Sequence, residues 1–157
     1  MKQDESLGKE IVSEIEHELE NIDRLKEELK RILKENSSFS RRANGSIVHD
    51  FYNCCERIFR RISVDINGGF DAGERWRKEL LYRMTIPIES IRPEVISEEV
   101  AAELDDYLSF RHVFRNIYGF ELKGERLDRL VEKFEQISEM FKKEIRKFLK
   151  KMQNEKC

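Results

Sequence analysis

The stretch 124–153 reads GERLDRLVEKFEQISEMFKKEIRKFLKKMQ, with apolar residues at helical spacing and charged residues in most of the places between them. That spacing follows the 3.6-residue turn of an α-helix and collects the apolar side chains on one face. The face consists of Leu127, Leu130, Val131, Phe134, Ile137, Phe141, Ile145 and Phe148. A long helix with one apolar face needs other helices to cover it, so the stretch predicts a helical bundle.

The segment of about 5–35 repeats this pattern near the start of the chain. Its apolar residues alternate steps of three and four, and most other positions are charged, so the apolar stripe is as narrow as a coiled-coil seam. The stripe contains Ile11, Ile15, Leu19, Ile22, Leu25, Leu29 and Ile32. Docking across the bundle of the same chain is favoured over pairing with a second chain.

A second helix is expected to lie at the centre of the bundle. The stretch 36–45 is rich in turn-forming residues and predicts a loop, after which Ser46 is placed to cap the helix. The residues that follow form a broad apolar face, and Asn67-Gly68-Gly69 predicts the end of the helix. A broad apolar face indicates contact with several neighbouring helices.

Two more helices complete the predicted fold. The segment 74–84 predicts a short third helix, and Pro87 and Pro93 predict an extended connector after it. Ser97 is a suitable cap for a fourth helix over about 97–118, since two acidic residues follow it. We therefore predict an all-α, antiparallel bundle of four to five helices, with the whole chain, 1–157, forming one domain.

The charges of the chain almost balance, which limits its contact with nucleic acid. The 30 Lys and Arg residues against 32 Asp and Glu residues give a net charge of -2. Because no global positive field attracts RNA, any RNA contact needs a local basic patch. Five arginines near the second helix are candidates, although solvated helix charge is the favoured interpretation. They are Arg41, Arg42, Arg57, Arg60 and Arg61.

The cysteines and the apolar runs indicate a cytoplasmic protein. Cys54 and Cys55 are adjacent and cannot easily bridge one another, and Cys157 lies in a polar tail, so we expect free thiols in a reducing compartment. One of the adjacent pair is predicted to pack in the core and the other to be partly exposed. Since no run approaches 18 apolar residues, no membrane span is expected.

The sequence contains no signature of metal or nucleotide chemistry. The three histidines, His17, His49 and His112, are scattered, and no Cys/His spacing matches a zinc site. There is no phosphate-binding loop, no dinucleotide fingerprint and no nucleophile elbow. We therefore expect neither a metal nor a cofactor.

The fourth helix carries the candidate functional residues, in the stretch 110–122, FRHVFRNIYGFEL. Arg111 and Tyr118 are seven residues apart, nearly two helical turns, at the edge of the apolar face. An arginine there requires a specific partner, because a buried unpaired charge is costly. From spacing alone, the favoured interpretation is that Arg111 extends its charged end to solvent or binds a carboxylate, such as Glu121 or one from another helix. His112 and Asn116 lie on a more polar side, where simple solvation is favoured.

This stretch resembles the signature helix of HepT-like proteins within the HEPN superfamily. Further segments match one HepT-like subgroup in order and spacing, and the resemblance covers about 42–150. These segments are 46–52 (SIVHDFY), 56–59, 66–69 and 76–81. The resemblance implies a HEPN-type helical bundle that dimerises.

The resemblance also implies a function, namely the toxin of a toxin–antitoxin pair. Such a toxin is a metal-independent RNA endonuclease, neutralised by a minimal nucleotidyltransferase partner. The family motif is Arg, four residues, His, one residue, Tyr. Arg111 and Tyr118 match it, but Asn116 stands at the histidine position. Related transferases attach adenylyl groups to the motif tyrosine, so Tyr118 is also a candidate for modification.

Asn116 is the departure from the motif that bears on the implied activity. An amide can orient a phosphate or a ribose hydroxyl, but it cannot exchange protons near neutral pH as imidazole does. Two histidines are candidate replacements: His112, one turn earlier, and His49, if the second helix packs alongside. The alternative function is a catalytically inactive HEPN subunit that docks the nucleotidyltransferase through the same surface.

Overall fold

The structure is a computed structural model, and it confirms the all-α fold. It describes residues 2–35, 39–66, 68, 75–116 and 124–154, with the backbone alone for 2–7 and 115–116. The described residues form α1 (Lys2–Glu35), α2 (Ser40–Asp65), α3 (Trp76–Arg83), α4 (Glu98–Asn116) and α5 (Gly124–Asn154). Within these ranges no strand forms, and Ile88 and Arg92 make one isolated bridge.

Helix α2 contacts all four other helices, which confirms its predicted central position. Ion pairs show the relative directions of the helices. Arg57 and Arg61 on α2 pair with Glu18 and Glu14 on α1, so these two helices run antiparallel. The apolar stripe of α1 packs into the core of its own chain, as predicted: Ile15, Leu19 and Ile22 are at most 1% exposed.

The prediction of a loop over 36–45 is wrong for residues 40–45, which are helical. Helix α2 begins at Ser40, so Ser46 is not a cap but an exposed residue inside the helix. The first turn is closed by the Ala43 amide, which donates to the Phe39 carbonyl at 3.1 Å. Asn44 and Gly45, read as turn formers, are buried within the helix. Packing of this turn in the bundle has overridden the local turn preference.

The other predicted helix boundaries agree more closely with the structure. α5 matches its predicted extent within one residue, and α2 ends at Asp65, next to the predicted glycine-rich stop. Ser97 caps α4: its Oγ accepts the Val100 amide at 3.2 Å. The Oγ of Ser97 also donates to Glu144 on α5 at 2.9 Å, so the cap ties α4 to α5. The predicted end of α4 at Tyr118 lies outside the described residues.

Both adjacent cysteines are buried, which corrects the expectation that one of them is partly exposed. Cys54 is 4% exposed and Cys55 is 0% exposed. Burial raises the pKa of Cys54 to about 12 and that of Cys55 well above its ordinary value. Neighbouring positions can both be buried because α2 is covered on several sides by α1, α4 and α5. Neither thiol is a plausible nucleophile, since the thiolate is suppressed.

The connector between α3 and α4 is organised by one buried arginine. Arg92 is 3% exposed, and burial lowers its pKa. Its guanidinium donates to the carbonyls of Ile86 at 2.9 Å, Pro93 at 3.1 Å and Arg83 at 3.1 Å. The Arg92 side chain therefore binds carbonyls on both sides of the connector. Pro87 and Pro93 were predicted to bracket this connector.

We expect Arg92→Ala to lower the free energy of unfolding by about 3 kcal/mol, because the carbonyls of Ile86, Pro93 and Arg83 lose a charged donor. Urea unfolding followed by circular dichroism measures the change. Arg83→Ala is the matched control, since Arg83 is exposed and its 3.7 Å ion pair with Glu79 is worth little. Equal destabilisation by the two substitutions would contradict this role for Arg92.

Candidate active site

The antiparallel crossing of α2 and α4 brings Arg111 onto Asn53. The Nε of Arg111 donates to the Oδ1 of Asn53 at 3.0 Å, across 58 positions of sequence. The Arg111 side chain is half-buried. Sequence spacing favoured an arginine that extends to solvent or binds a carboxylate, such as Glu121 or one from another helix. Glu121 lies outside the described residues, and the partner seen on α2 is an uncharged amide.

His49 lies on the other side of the same asparagine. Its Nδ1 is 3.3 Å from the Nδ2 of Asn53, and its ring centroid is 5.3 Å from that of Phe114 on α4. The His49 side chain is 17% exposed. His49, Asn53 and Arg111 therefore form a continuous row across the α2–α4 crossing, which we name the His49–Arg111 cluster.

Two buried polar side chains of α2 lie next to this cluster. Tyr52 is 0% exposed, and its hydroxyl has no hydrogen-bond partner among the described residues. Burial raises the pKa of Tyr52, the nearby Glu56 raises it further, and Arg111 acts in the opposite direction. Glu56 is buried with its Oε1 3.0 Å from the Nε of Arg77, as an ion pair without good hydrogen-bond alignment. The His49–Arg111 cluster thus lies next to two buried polar side chains inside the bundle, Tyr52 and Glu56.

Glu56 makes the stability of the protein depend on pH. Burial raises the pKa of Glu56 above its ordinary value of 4.5, and Arg77 and Arg111 only partly oppose the shift. A raised folded-state pKa means that the native protein binds more protons than the unfolded chain, so the contribution of Glu56 to stability falls as pH rises from 4.5.

We expect Glu56→Gln to become more stable relative to the wild type as pH rises from 4.5 toward 7. The neutral amide resembles the protonated acid and does not acquire the buried charge. Urea unfolding of both proteins across this range measures the difference, and the same change at the exposed Glu132 controls for the loss of one charge. If the stability of Glu56→Gln relative to the wild type instead falls as pH rises, the attraction of Arg77 and Arg111 has a larger effect on the pKa of Glu56 than burial has.

The other predicted site residues are His112, Asn116 and Tyr118, and the structure describes only the first of them in full. His112 is exposed, and it is two positions from Phe114, which is about 200° around the helix. Its role in the candidate site therefore stays a prediction. Position 116 ends α4, and the side chain of Asn116 lies outside the described residues. Tyr118 lies outside them entirely.

Asn53 is the member of the cluster that sequence reasoning missed. A signal was present, because His49 and Asn53 are four residues apart, and this spacing puts two polar side chains on one side of a helix whose core face is otherwise apolar. Which helix they face was not readable from the sequence, since that depends on how α2 packs against α4.

A polar crevice opens beside the cluster, between α1 and α2. It has a volume of about 330 Å³. Its walls include Asn21, Arg24, Asp50, Asn53 and Arg57. Asn53 is the residue that the crevice and the His49–Arg111 cluster share.

Two of the five arginines considered as a basic patch have different neighbours. Arg57 pairs with Glu18 at 3.6 Å, whereas the guanidinium carbon of Arg60 lies 5.4 Å from the ring centroid of Trp76. Arg57 lines the polar crevice, so it is the one nearest to the candidate site. Among the described residues, no three His, Cys, Asp or Glu side chains are grouped to hold a metal ion, and no helix is long and apolar enough to cross a membrane.

A comparison with known protein families decides the family. The model of the HepT-like protein family matches residues 43–152, well over half of the chain. The chain belongs to the HepT-like family. The matched residues of this HepT-like protein include the whole His49–Arg111 cluster, and the family lies within the HEPN superfamily that the stretch 110–122 resembles. Searches of curated proteins and of solved structures found no match.

Proposed function

We propose that this HepT-like protein is the toxin of a toxin–antitoxin pair and that it cleaves RNA in the cytoplasm without a metal ion. Family membership supports this class of function. The observation that carries the proposal is the guanidinium of Arg111, held by Asn53 at the crossing of α2 and α4. A cation held in one position is preorganised for the charge that develops on a phosphate during cleavage.

The proposed roles of the other motif residues follow from their chemistry. Asn116 orients a phosphate or a ribose hydroxyl, and Tyr118 is the third residue of the motif. His112 completes the site only if a second protomer or the substrate reaches the outer face of α4. In the proposed homodimer, two α4 helices pair, so that two Arg111 side chains flank one cleft.

The proposed antitoxin is a minimal nucleotidyltransferase. It docks on the surface that carries Arg111, and transfer of adenylyl groups to Tyr118 adds negative charge and inhibits the toxin. A reading frame for a small nucleotidyltransferase next to the gene of this protein would support the pairing. Co-purification of the two proteins and a mass increase on the tryptic peptide containing Tyr118 test it directly.

A second function, a catalytically inactive subunit that docks the nucleotidyltransferase, is favoured by one observation. Asn116 stands where the HEPN motif has its histidine. An inactive subunit would still form the complex with the transferase, whereas it would leave RNA uncut.

The deciding experiment incubates the purified full chain with RNA in the presence of EDTA. We expect cleavage that leaves 2′,3′-cyclic phosphate ends, together with growth inhibition on expression. No cleavage by the wild type, combined with cleavage by Asn116→His, would instead identify an inactive subunit derived from an enzyme. Light scattering of the same preparation measures whether the chain is a dimer.

A further inference from the structure

Three arginines surround one buried carboxyl group next to the His49–Arg111 cluster. Glu56 is 5% exposed, and burial raises its pKa, while Arg77, Arg111 and Arg60 each act in the opposite direction. The three guanidiniums therefore lie within electrostatic range of the same carboxyl group. Because Glu56 balances at most one of them, positive charge is in excess here, although the net charge of the whole chain is -2.

A second acidic side chain of this region has its own cation. Burial is the main cause that raises the pKa of Tyr52, and Asp105 on α4 adds to the shift, so Asp105 lies in the same part of the bundle. The Oδ2 of Asp105 is 3.6 Å from the Nζ of Lys78 and accepts the hydroxyl of Tyr82 at 2.9 Å. Asp105 therefore does not cancel the excess positive charge around Glu56.

The three arginines follow one face of α2. The Nε of Arg111 lies 3.0 Å from the Oδ1 of Asn53, and the Nε of Arg77 lies 3.0 Å from the Oε1 of Glu56. Positions 53, 56 and 60 are separated by three and four residues, the spacing that puts residues on one side of a helix. Seven residues advance roughly 10 Å along an α-helix. Arg111, Arg77 and Arg60 thus form a row along α2, which we name the arginine row.

Trp76 at the start of α3 restrains two members of the arginine row. The guanidinium carbon of Arg77 is 4.3 Å from the centroid of the Trp76 ring, and that of Arg60 is 5.4 Å from it. A guanidinium over an aromatic face is attracted to the ring, while its N–H groups point outward in the guanidinium plane. The indole ring therefore orients both arginines without binding their donors.

Arg60 is the member of the row that is best placed to bind a ligand. It is exposed, and among the described residues no carboxylate lies within ion-pair distance of it. Its neighbours on α2 differ, since Arg57 pairs with Glu18 at 3.6 Å and Arg61 with Asp65 at 2.7 Å. An exposed guanidinium that an aromatic ring orients is suited to a phosphate, which can accept two parallel hydrogen bonds from it.

We propose that one strand of RNA follows the arginine row along α2, with Arg111 at the phosphate that is cleaved and Arg60 at a neighbouring phosphate of the same strand. The inference rests on the proposed nuclease function and adds the path of the substrate to it. A row of roughly 10 Å is longer than one phosphate, and phosphates recur about every 3.4 Å along each strand of a duplex. A nucleic-acid strand presents phosphates at regular spacing on this scale.

The proposed position of Arg60 gives it a kinetic effect different from that of Arg111. The charge of a neighbouring phosphate does not change during cleavage, so Arg60 binds the substrate and the transition state equally well. Loss of such uniform binding raises KM and leaves kcat unchanged. Loss of Arg111, which faces the developing charge, should instead lower kcat.

The first arm of the test measures binding without cleavage, using a fluorescent RNA oligonucleotide with 2′-O-methyl groups. We expect Arg60→Ala to weaken binding about tenfold and to lower the slope of log K against log salt by about one. Arg60→Lys keeps the charge, so it should keep the salt slope of the wild type. Arg60 is chosen over Arg77 because the ion pair of Arg77 with the buried Glu56 also affects stability.

The control for this arm is Arg129→Ala, which removes an exposed arginine on α5 and the same amount of charge. It should bind the oligonucleotide like the wild type. Circular dichroism of each variant checks that the helical fold is intact. Equal binding by Arg60→Ala and Arg129→Ala would overturn the proposed path of the strand.

The second arm measures cleavage of an unmodified RNA by the same variants. We expect Arg60→Ala to raise KM about tenfold with kcat unchanged, as for one lost phosphate contact. A fall in kcat with KM unchanged would overturn the position of Arg60 at a neighbouring phosphate.

The two arms separate failure of this inference from failure of the proposed function. A wild type that cuts RNA, with Arg60→Ala equal to it in binding and in KM, would leave the nuclease in place and remove the inference. If the wild type binds the oligonucleotide through Arg60 but cuts no RNA, the nuclease fails while the path of the strand stands. If Arg60→Ala leaves RNA binding unchanged and weakens only the complex with the nucleotidyltransferase, the arginine row is a protein-docking surface and the inference is wrong.

Discussion

Replacing Arg111 by alanine is expected to lower the rate of RNA cleavage about 10²- to 10³-fold, the usual effect of removing one preorganised donor from a charged transition state. The loss should appear mainly in kcat, because charge on the phosphate grows as the reaction proceeds. Arg111→Lys keeps the charge but loses the planar donor arrangement, so it should retain only part of the activity. Cleavage of a labelled RNA under single-turnover conditions measures both effects.

A stability measurement must accompany this experiment, because Arg111 also has a structural contact. Loss of its hydrogen bond to Asn53 is expected to cost about 1 kcal/mol, too little to unfold the protein. Arg129→Ala removes an exposed arginine and should leave both cleavage and stability unchanged. If Arg111→Ala is folded and cuts RNA as fast as the wild type, Arg111 is not the phosphate-binding group and the nuclease proposal fails.

Phe51→Ala is expected to lower the free energy of unfolding by about 3–5 kcal/mol, a large share of the total for a domain of this size. Phe51 is 0% exposed. Its ring meets Tyr107 edge-on at 5.2 Å, Phe134 at 5.0 Å and Phe141 at 6.4 Å between centroids. These contacts join α2 to both α4 and α5, so the cavity left by alanine would loosen three helices at once.

Chemical denaturation of Phe51→Ala and two companion variants tests this expectation. Phe51→Leu keeps most of the volume and should lose clearly less stability. Val64→Ala, on the same helix but 53% exposed, should change stability by no more than about 0.5 kcal/mol. An equal loss in Phe51→Ala and Val64→Ala would mean that the aromatic contacts do not hold the bundle together.

The helices were predictable because their signals are local. In α5 the apolar positions are buried or half-buried as the periodicity required, with Phe134 and Phe141 at most 1% exposed. A side chain that recurs every three or four residues can be buried only on one face of a helix, so the pattern specifies both the element and its inner side. The cap at Ser97 was equally local, since it depends on a residue three positions away.

The start of α2 shows where local signals fail. Asn44 and Gly45 favour a turn in isolation, yet both are buried in the helix. Arg41 lies against Gly124 at the start of α5, where an added Cβ would come within 2.8 Å of its Nη2. This contact joins residues more than 80 positions apart, so a short window of sequence cannot reveal it.

The sequence by itself determined the helices, their apolar faces and the family, because periodicity and motif spacing are properties of neighbouring residues. It also singled out Arg111. Only the tertiary structure decided that Arg111 meets Asn53 and that His49 joins them. The reason is physical: the register of α2 against α4 is set by the packing of large buried side chains such as Phe51 and Tyr107, and that register selects which polar residues meet.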